Sequence, residues 1–528
     1  MFEDYIIDKD EDCMKRRIWS LLLALSLAIS AFSACGGKDT NESVLESAES
    51  TESASETHVC APVDGSWKHN TSVHWQLCSC GEKLNSERHF GGDASCTEKP
   101  ACEVCGKVYG KVSGHTFSEL KALETGAQGY ECTYCGEKMP LLSVEHEDGT
   151  TEEGLLDFVV DVEVGRNPVI LQLSDTQLTN RDGAESRCYS YVRETVAATN
   201  PDLILITGDL VYGRFDQDGS IFKSFIAFME SLKKPWAPVF GNHDNECWLG
   251  VDWQCGELEK AEYCLFKQGE VTGNGNYSVG IMQGGNLLRV FYMMDSNGCT
   301  NPRIFGDGNS YVTNTEKTPG KNVVKTDAGF GDSQIGWYTS SIQNVTSVSP
   351  TTKTSMAFHI QMAYFDKAYA PYGYRSNTKE SSTLLYPINF DAKVMLNVET
   401  WKVERTLDVK EGDIGYLGRA MKGPWDSNYT TFNSMKDLGI DSIFVGHEHC
   451  NSASVVYNGV RFQYGQKSST YDRYNYLDSE GHIIGGYSSA GTPLIGGTAF
   501  SLSQEDGTII NPYIYLAGDP LKTNPKVM

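Results

Sequence analysis

Four short apolar runs lie between residues 168 and 446, and each of them predicts a buried strand. The runs are Val169–Leu173, Leu203–Thr207, Pro238–Phe240 and Ile443–Val445. The polar blocks that follow them are Ser174-Asp175, Gly208-Asp209, Gly241-Asn242-His243-Asp244 and Gly446-His447-Glu448-His449. The carboxyl ends of neighbouring strands in an open α/β sheet converge on one crevice. We therefore expect these polar blocks to lie close together.

The chain between these runs carries the patterns of helices and of further strands. Residues 184–199 predict a helix between the first two runs, which implies a right-handed parallel β–α–β crossover. Residues 221–232 carry an apolar face at helical spacing. Residues 287–294 predict a strand that ends at Asp295, and Met356–Phe358 predicts one that ends at His359. His359 thus becomes a fifth polar position at a strand end.

The order of these blocks resembles the calcineurin-like metallophosphoesterase superfamily over residues 165–470. Asn276-Tyr277, Asp295-Ser296 and the block from Gln334 to Trp337 resemble its purple-acid-phosphatase-like branch. The resemblance implies an α/β fold, specifically a four-layer α-β-β-α sandwich over residues 155–528. A connector at 141–154 and a small Cys/His-rich module would precede it.

By this resemblance, two metal ions (iron, manganese or zinc) bind at the strand ends. Such a pair clamps the oxygens of a phosphoryl group and lowers the pKa of bound water. The implied ligands are Asp175, Asp209 and His449 for one ion, and the bridging Asp209, Asn242, His359 and His447 for the other. His243 is implied to protonate the leaving group or hold the phosphate. Asp244 is expected to orient the His243 ring.

Two positions differ from the usual family pattern. Gln177 stands where a histidine is usual, and an amide oxygen binds zinc or iron more weakly than imidazole does. Tyr212 stands three residues after Asp209, as does the tyrosine that binds ferric iron in true purple acid phosphatases. The resemblance thus adds Gln177 and Tyr212 to the candidate ligands. A place for Tyr212 in the core or wall is the alternative.

These residues predict metal-dependent hydrolysis of a small phosphoester, either a monoester or a diester. The alternative is a surface binding or adhesion protein with a weakened phosphoesterase fold, suggested by Gln177 and the Cys/His repeats. The net charge of −25 argues against a nucleic-acid partner, which would need a basic face. Arg419, Lys422 and Lys467 are basic residues that could meet a phosphate. No feature of the sequence indicates an oligomeric state.

The first 35 residues carry the pattern of a bacterial lipoprotein signal. Lys15-Arg16-Arg17 precedes an apolar run at 18–31, and Ala31–Gly37 resembles a lipobox with Cys35 as the lipidated residue. This predicts an exported protein anchored by lipid at the outer face of the cell membrane. Plain secretion and an uncleaved anchor are the alternatives. Met14 is the expected start of translation, and residues 36–57 predict a flexible tether.

Residues 58–140 contain eight of the sixteen cysteines and resemble Cys/His-rich repeats of Gram-positive surface proteins. Cys-x-x-Cys-Gly is a turn that presents two thiolates to one zinc ion. The predicted zinc ligands are Cys102, Cys105, Cys132 and Cys135 for one site, and His74, Cys78, Cys80 and His89 for another. A disulfide framework is the alternative, since an exported chain meets oxidising conditions. Whether zinc or disulfides are present, their role would be structural, because so small a module lacks a hydrophobic core large enough to keep it folded.

Overall fold

The structure, a computed structural model, describes residues 58–518 with the exception of 64, 66, 181–182, 299–302, 306–310, 314–327, 373–383, 389–393, 398–402, 407–411, 418–423, 450, 470–474, 478–482 and 486–493. The predicted signal, the lipidation site Cys35 and the tether lie outside the described residues, as do Arg419 and Lys422. Within the described part, no helix has both the length and the apolar character that crossing a bilayer requires.

In chain order the strands are β1 (Lys68–His69), β2 (Val73–Leu77), β3 (Lys83–Arg88), β4 (Lys121–Ala122), β5 (Gln128–Glu131), β6 (Lys138–Pro140), β7 (Val144–Glu145), β8 (Thr151–Glu152), β9 (Phe158–Val162), β10 (Val169–Leu173), β11 (Leu203–Thr207), β12 (Trp236–Val239), β13 (Tyr277–Gln283), β14 (Asn286–Met293), β15 (Arg303–Phe305), β16 (Tyr311–Thr313), β17 (Lys353–Ala357), β18 (Leu384–Ile388), β19 (Val394–Asn397), β20 (Val403–Thr406), β21 (Ile414–Leu417), β22 (Ile440–Val445), β23 (Asn451–Tyr457), β24 (Val460–Tyr464), β25 (Asn475–Leu477), β26 (Ile483–Gly485), β27 (Gly496–Leu502) and β28 (Ile509–Leu516). The described α-helices are α1 (Ala184–Thr199), α2 (Ser220–Ser231), α3 (Val251–Leu258), α4 (Asp332–Val348), α5 (Tyr364–Tyr369) and α6 (Thr430–Asp437). The short 3-10 helices are Gly213–Phe215, Asp244–Glu246 and Ala370–Tyr372.

The chain divides into two compact units after Arg88. The described part of the first unit is built on a three-stranded antiparallel sheet in the order β1-β2-β3. The second unit begins at His89 and contains all of the remaining elements. This division differs from the module boundary expected at residue 140. Residues 89–140 lie in the second unit, and Phe117, Leu120 and Tyr130 among them contribute to its core or pack against it.

The predicted apolar runs form the centre of a five-stranded sheet with the order β12-β11-β10-β27-β28. Strands β10, β11 and β12 are parallel, as the predicted crossover requires. Strand β11 is buried along its whole length, which explains why its sequence is continuously apolar. Helices α1 and α2 cover one face of this sheet. Phe225 of α2, for example, meets Trp236 of β12 edge to face at 6.0 Å.

A second, eleven-stranded sheet has the order β20-β19-β18-β21-β23-β24-β22-β17-β14-β13-β9. Its central strands β14, β17, β22 and β24 are parallel. Helices α4 and α6 cover its outer face through buried side chains such as Tyr338, Ile342 and Phe432. The fourth apolar run of the sequence is therefore in this sheet, as β22, and not beside β10.

The two sheets face each other across a core of apolar side chains. Phe444 of β22 stacks on Phe500 of β27 with ring centroids 5.2 Å apart, and Phe291 of β14 lies 6.0 Å from Phe444. Burial of each such ring contributes about 1.5–3 kcal/mol of hydrophobic stabilisation. The order helix, sheet, sheet, helix confirms the predicted four-layer sandwich. The ends of β10, β11, β17 and β22 meet where the two sheets adjoin.

Candidate active site

Three of the predicted ligands have left-handed backbone conformations at the second residue after a strand. The φ angle is +52° at Asp175, +52° at Asp209 and +71° at His447. Non-glycine residues in this region cost of order 1–3 kcal/mol and persist only where their surroundings hold them, typically at functional sites. Strands β10, β11 and β22 thus end in strained turns that carry ligand-type side chains.

Asp175 is buried and lies within reach of both histidines of the last block. Its Oδ1 atom is 3.2 Å from His449 Nε2, and the backbone N–H of His447 donates to it over 3.2 Å. The Ser174 hydroxyl also donates to this carboxylate. Burial opposes ionisation of Asp175, but attraction to His449 outweighs it and lowers the pKa to about 2. Asp175 is therefore an anion at neutral pH.

Asp209 lies between the residues that follow the other strands. Its Oδ1 atom accepts the backbone N–H of His243 at 2.9 Å and lies 3.4 Å from His359 Nε2. Burial opposes its ionisation, yet His359 and His243 hold its pKa well below the usual range. Potential ligand atoms of Asp175, Asp209 and His359 all lie within 4.8 Å of one another.

The Asn242 amide oxygen faces two imidazole rings. It lies 3.0 Å from His359 Nε2 and 2.8 Å from His447 Nδ1. The other nitrogen of His359 lies 2.8 Å from the Thr207 carbonyl oxygen, which it meets as a donor, so Nε2 faces the cluster. Burial opposes protonation of His359, but Asp209 outweighs it and raises the pKa of His359 to about 9. Burial and the charge of His359 lower the pKa of His447 to about 3. A bound cation would take the place of the proton on His359.

Two glycines allow the strand ends to approach so closely. Gly208 has a φ of +87°, and a Cβ atom there would overlap the His359 ring. A Cβ atom at Gly446 would overlap the Ser174 hydroxyl and the Thr207 carbonyl oxygen. Both positions therefore require glycine for close contact between neighbouring turns.

His243 is oriented by a residue that the sequence did not suggest. Its Nδ1 atom lies 3.1 Å from Glu246 Oε2. Asp244 instead accepts the backbone N–H groups of Gly241 at 2.8 Å and Val211 at 3.0 Å, and it holds two strand-end loops together. The structure thus gives Glu246 as the partner of the His243 ring, whereas the sequence led us to expect Asp244. The 3-10 turn Asp244–Glu246 explains the choice of partner, because it brings Glu246, three residues after His243, back to the ring.

Gln177 is close to the cluster, but its amide oxygen points away from it. Its Nε2 atom donates to Asp209 Oδ2 at 3.1 Å, and its Oε1 atom accepts from Lys467 Nζ at 3.1 Å. Because an ammonium group can only donate, the lysine fixes which side of the amide carries the oxygen. This orientation differs from the predicted metal ligation through the Gln177 amide oxygen. Lys467 also donates to the Asp175 carbonyl oxygen at 3.1 Å, and it is buried.

Tyr212 packs against His243. Their ring centroids are 3.9 Å apart with planes inclined by 35°, and Arg214 Cζ lies 4.5 Å from the centroid of the Tyr212 ring. This contact agrees with the wall position that the sequence left open. Ligation by Tyr212 stays a prediction.

The motifs of the purple-acid-phosphatase-like branch form a buried polar network next to His359. Gln334 Nε2 donates to the Asn276 amide oxygen at 2.8 Å and to the Asp295 carbonyl oxygen at 2.7 Å. The Ser296 hydroxyl accepts the N–H of Ile360 at 3.0 Å. Through the Ser296 contact, this network supports the loop that carries His359.

The Cys/His ligands group differently from the two predicted sets. Cys78 and Cys80 lie with His58 and Cys60, while Cys132 and Cys135 lie with Cys96 and His115. His89 lies near Cys102 and Cys105, with 3.5 Å between His89 Nδ1 and Cys105 Sγ. His74 is buried and meets the Trp67 ring edge to face at 4.9 Å. The sets differ because each Cys turn pairs with residues that precede it in the chain rather than with another Cys turn. None of the described cysteines forms a disulfide.

Comparison with known proteins agrees with the arrangement at the strand ends. Residues 168–322 match the calcineurin-like phosphoesterase family. The calcineurin-like match contains Asp175, Asp209 and Asn242, whereas His359 and the block at 446–449 come after it. The chain thus carries a calcineurin-like phosphoesterase domain, a type that implies divalent metal ions.

Curated relatives match parts of the chain. Over 277 residues it is 25% identical to Phosphatase DCR2 of Saccharomyces cerevisiae, which covers 51% of this chain and 39% of that protein. Over 101 residues it is 36% identical to Probable inactive purple acid phosphatase 14 of Arabidopsis thaliana, which covers 17% of this chain and 25% of that protein. The chain therefore spans well under half the length of these relatives.

Solved structures show similarity at low identity. A dimetal phosphatase from Danio rerio is 8% identical with a TM-score of 0.35, and the alignment covers 67% of this chain and 100% of that one. Purple acid phosphatase PPD1 from yellow lupin, Lupinus luteus, is 10% identical with a TM-score of 0.30, covering 87% of this chain and 74% of that one.

Proposed function

We propose that this protein hydrolyses phosphoesters with a dinuclear metal centre at the junction of its two sheets, and that it does so at the cell surface. The observation that carries the proposal is the convergence of ligand-type side chains from five strand ends, those of β10, β11, β12, β17 and β22. The proposed metal ligands are Asp175, Asp209, Asn242, His359, His447 and His449. The surface location rests on the lipoprotein-like signal that ends at Cys35.

The chemistry of this donor set suits divalent metal ions. Carboxylate and amide oxygens together with imidazole nitrogens are the usual ligands of zinc, manganese and iron. Asp175 and Asp209 are two buried anions in one cluster, and such a pair is unfavourable unless positive charge lies between its members. When bound, the metal ions would neutralise phosphoryl charge and lower the pKa of water.

The protein's own residues orient the substrate and move a proton. Glu246 holds His243 through Nδ1, which leaves Nε2 as the nitrogen able to donate to a leaving oxygen. Burial opposes protonation of His243, but Asp209 and Glu246 raise its pKa, so the donor form persists nearer neutral pH. Asp244 keeps the loops that carry Asp209 and Asn242 in register through their backbone N–H groups.

A binding protein with a weakened centre is the second candidate function. It is favoured by the orientation of Gln177, which offers an amide nitrogen where the family usually has histidine. Two Arabidopsis thaliana relatives also carry the word inactive in their names. This candidate predicts little or no metal at the strand ends.

The deciding experiment measures hydrolysis of an aryl phosphate monoester and diester by the full chain after loading with iron, manganese or zinc. Asp209→Asn should lower turnover by more than about 100-fold, because changes outside the ligand sphere already cost about 10–100-fold. Asp161→Asn is the matched control, since Asp161 is exposed on β9. Intact cells that express the chain should hydrolyse an impermeant ester as well as lysed cells do.

The possible outcomes separate the two candidate functions. Metal-dependent turnover that is lost in Asp209→Asn and kept in Asp161→Asn supports the enzyme. The preferred ester then identifies the substrate class. Absence of both turnover and metal at the strand ends would reject the enzyme in favour of the binding protein.

A further inference from the structure

One group of Cys and His side chains lies wholly within the second unit. It is separate from the six proposed metal ligands at the strand ends, which we call the strand-end cluster. It consists of Cys96, His115, Cys132 and Cys135, whose potential ligand atoms all lie within 4.8 Å of one another. Three sulfurs and one imidazole form a set that is common in structural zinc sites. Cys96 and His115 belonged to neither of the sites predicted from sequence.

The spacing of these atoms fits the edges of a tetrahedron around one zinc ion. With bonds of about 2.3 Å to sulfur and 2.0–2.1 Å to nitrogen, the edges should measure about 3.8 Å between sulfurs and about 3.6 Å between sulfur and nitrogen. Cys96 Sγ and Cys132 Sγ are 3.7 Å apart, and Cys135 Sγ and His115 Nδ1 are 3.4 Å apart. A disulfide would instead require a sulfur separation of about 2.05 Å.

The backbone between the two later cysteines forms the turn expected of a zinc knuckle. The Gly136 N–H donates to the Cys132 carbonyl oxygen at 2.9 Å, and the Cys132 N–H donates to the Glu137 carbonyl oxygen at 2.7 Å. Gly136 has a φ of +74°, which glycine adopts without strain. The same pair of hydrogen bonds occurs at Cys102, so the turn is a repeated feature.

A carboxylate outside the group completes the arrangement. His115 directs Nδ1 towards Cys135 and Nε2 towards Glu137 Oε2, at 3.1 Å. Histidines that bind zinc usually donate their other ring N–H to such a carboxylate, which fixes the tautomer and strengthens the ligand. A histidine that served only to pack or to form a surface ion pair would not need this double alignment.

We propose that Cys96, His115, Cys132 and Cys135 bind one structural zinc ion, with Glu137 orienting His115. All four positions around the ion are occupied by protein, so the site is closed and has no role in turnover. It joins Cys96 to the segment 115–135, in which Phe117 and Leu120 pack against the core of the large sheet. The ion therefore ties the chain around Cys96 to a segment that packs on the phosphoesterase domain.

The test compares zinc content in the full chain, purified under reducing conditions with zinc present. Cys132→Ser should lose one zinc ion per chain relative to the unaltered protein, whereas Cys188→Ser, a buried thiol outside every Cys/His group, should lose none. Glu137→Gln should weaken zinc affinity by about 10–100-fold, and the exposed Glu119→Gln should not. Cys132→His should restore the ion, since two thiolates and two imidazoles also bind zinc.

Cobalt substitution gives a readout that does not depend on phosphoesterase activity. Thiolate-to-cobalt charge-transfer absorption arises only from sulfur ligands, and the strand-end cluster contains none. Cys132→Ser should reduce this absorption while Asp209→Asn leaves it unchanged. If Cys132→Ser does not fold, Cys135→Ser, which alters an exposed thiol of the same group, replaces it in the comparison.

Two results would overturn the zinc site. The first is equal zinc content and equal cobalt absorption in the unaltered protein and Cys132→Ser. The second is a Cys96–Cys132 or Cys96–Cys135 disulfide found by mass spectrometry of the non-reduced protein, combined with no zinc uptake after reduction. Either result leaves the proposed phosphoesterase activity standing, because that activity relies on other ligands.

Discussion

Glu246→Gln tests whether the orientation of His243 matters for proton donation. Glu246 is 2% exposed and lies 3.1 Å from His243 Nδ1, so the substitution keeps the shape and removes the charge. A hydrogen bond between charged partners contributes about 1.5–3 kcal/mol and a neutral one about 0.5–1.5 kcal/mol. A loss of about 1–1.5 kcal/mol in the transition state corresponds to about a 5- to 12-fold lower kcat/KM.

The assay uses a series of aryl phosphates whose leaving groups differ in pKa. A poor leaving group needs the proton from His243, so the full decrease should appear with it. A leaving group of low pKa departs without a proton, so kcat/KM for that ester should change less than about 2-fold. Glu246 raises the pKa of His243, and the proton-donating form is lost as pH rises through that pKa. Glu246→Gln should therefore move the alkaline limb of the pH profile to lower pH.

Asp244→Asn is the matched control for this prediction. Asp244 holds backbone N–H groups of Leu210, Val211 and Gly241, so its substitution should lower the unfolding temperature without changing the dependence on the leaving group. If Glu246→Gln matched the unaltered protein with every ester while Asp244→Asn behaved like His243→Ala, the assignment of Glu246 would be refuted.

Two further predictions concern stability and metal content. Burial raises the pKa of Asp295 from 3.8 to about 6, so its contribution to the free energy of unfolding should fall by about 3 kcal/mol as pH rises through that interval. In denaturant titrations, the free energy of unfolding of Asp295→Asn minus that of the unaltered protein should rise by that amount between about pH 4 and 7. A difference that stays constant with pH would contradict this prediction. Gly208→Ala should lower the metal content, because its Cβ atom would overlap the His359 ring. Gly256→Ala in α3 faces open space and should keep the metal, so equal metal content in both variants would contradict the close approach.

The strand ends were predictable from sequence because a buried strand needs a continuous apolar run. Strand β11 shows this most clearly, since the run Leu203–Thr207 and the observed strand have the same bounds. The sheet to which each run belongs was not predictable. Val169–Leu173 and Ile443–Val445 look alike in the sequence, yet they lie in different sheets.

The partners of polar side chains were harder to predict. Asp244 follows His243 directly, and adjacency favoured it as the orienting residue. The 3-10 turn instead places Glu246 next to the His243 ring. The only hint of this in the sequence was that Glu246 lies three residues after His243, the spacing of one 3-10 turn. The amide orientation of Gln177 depends on Lys467, which is 290 residues away in sequence, so no local pattern reports it.

The Cys/His groups show the same difficulty. Spacing within Cys-x-x-Cys-Gly correctly identified Cys132 and Cys135 as neighbours. It could not identify Cys96, which lies 36 residues before Cys132, because the intervening chain sets that distance through its own packing.

The separation of Asp175 from His447 by 272 residues has a consequence for biosynthesis. The side chains of β10 are made early, but their partners on β22 leave the ribosome only after most of the domain has been translated. Contacts between such distant segments form late in folding, since the loop between them must close first. A nascent chain or a fragment that stops before residue 449 lacks His449 and cannot assemble the ligand cluster. Under the proposed function, metal ions would therefore bind only after synthesis and folding of the domain, and the metal supply would act on finished molecules rather than on growing ones.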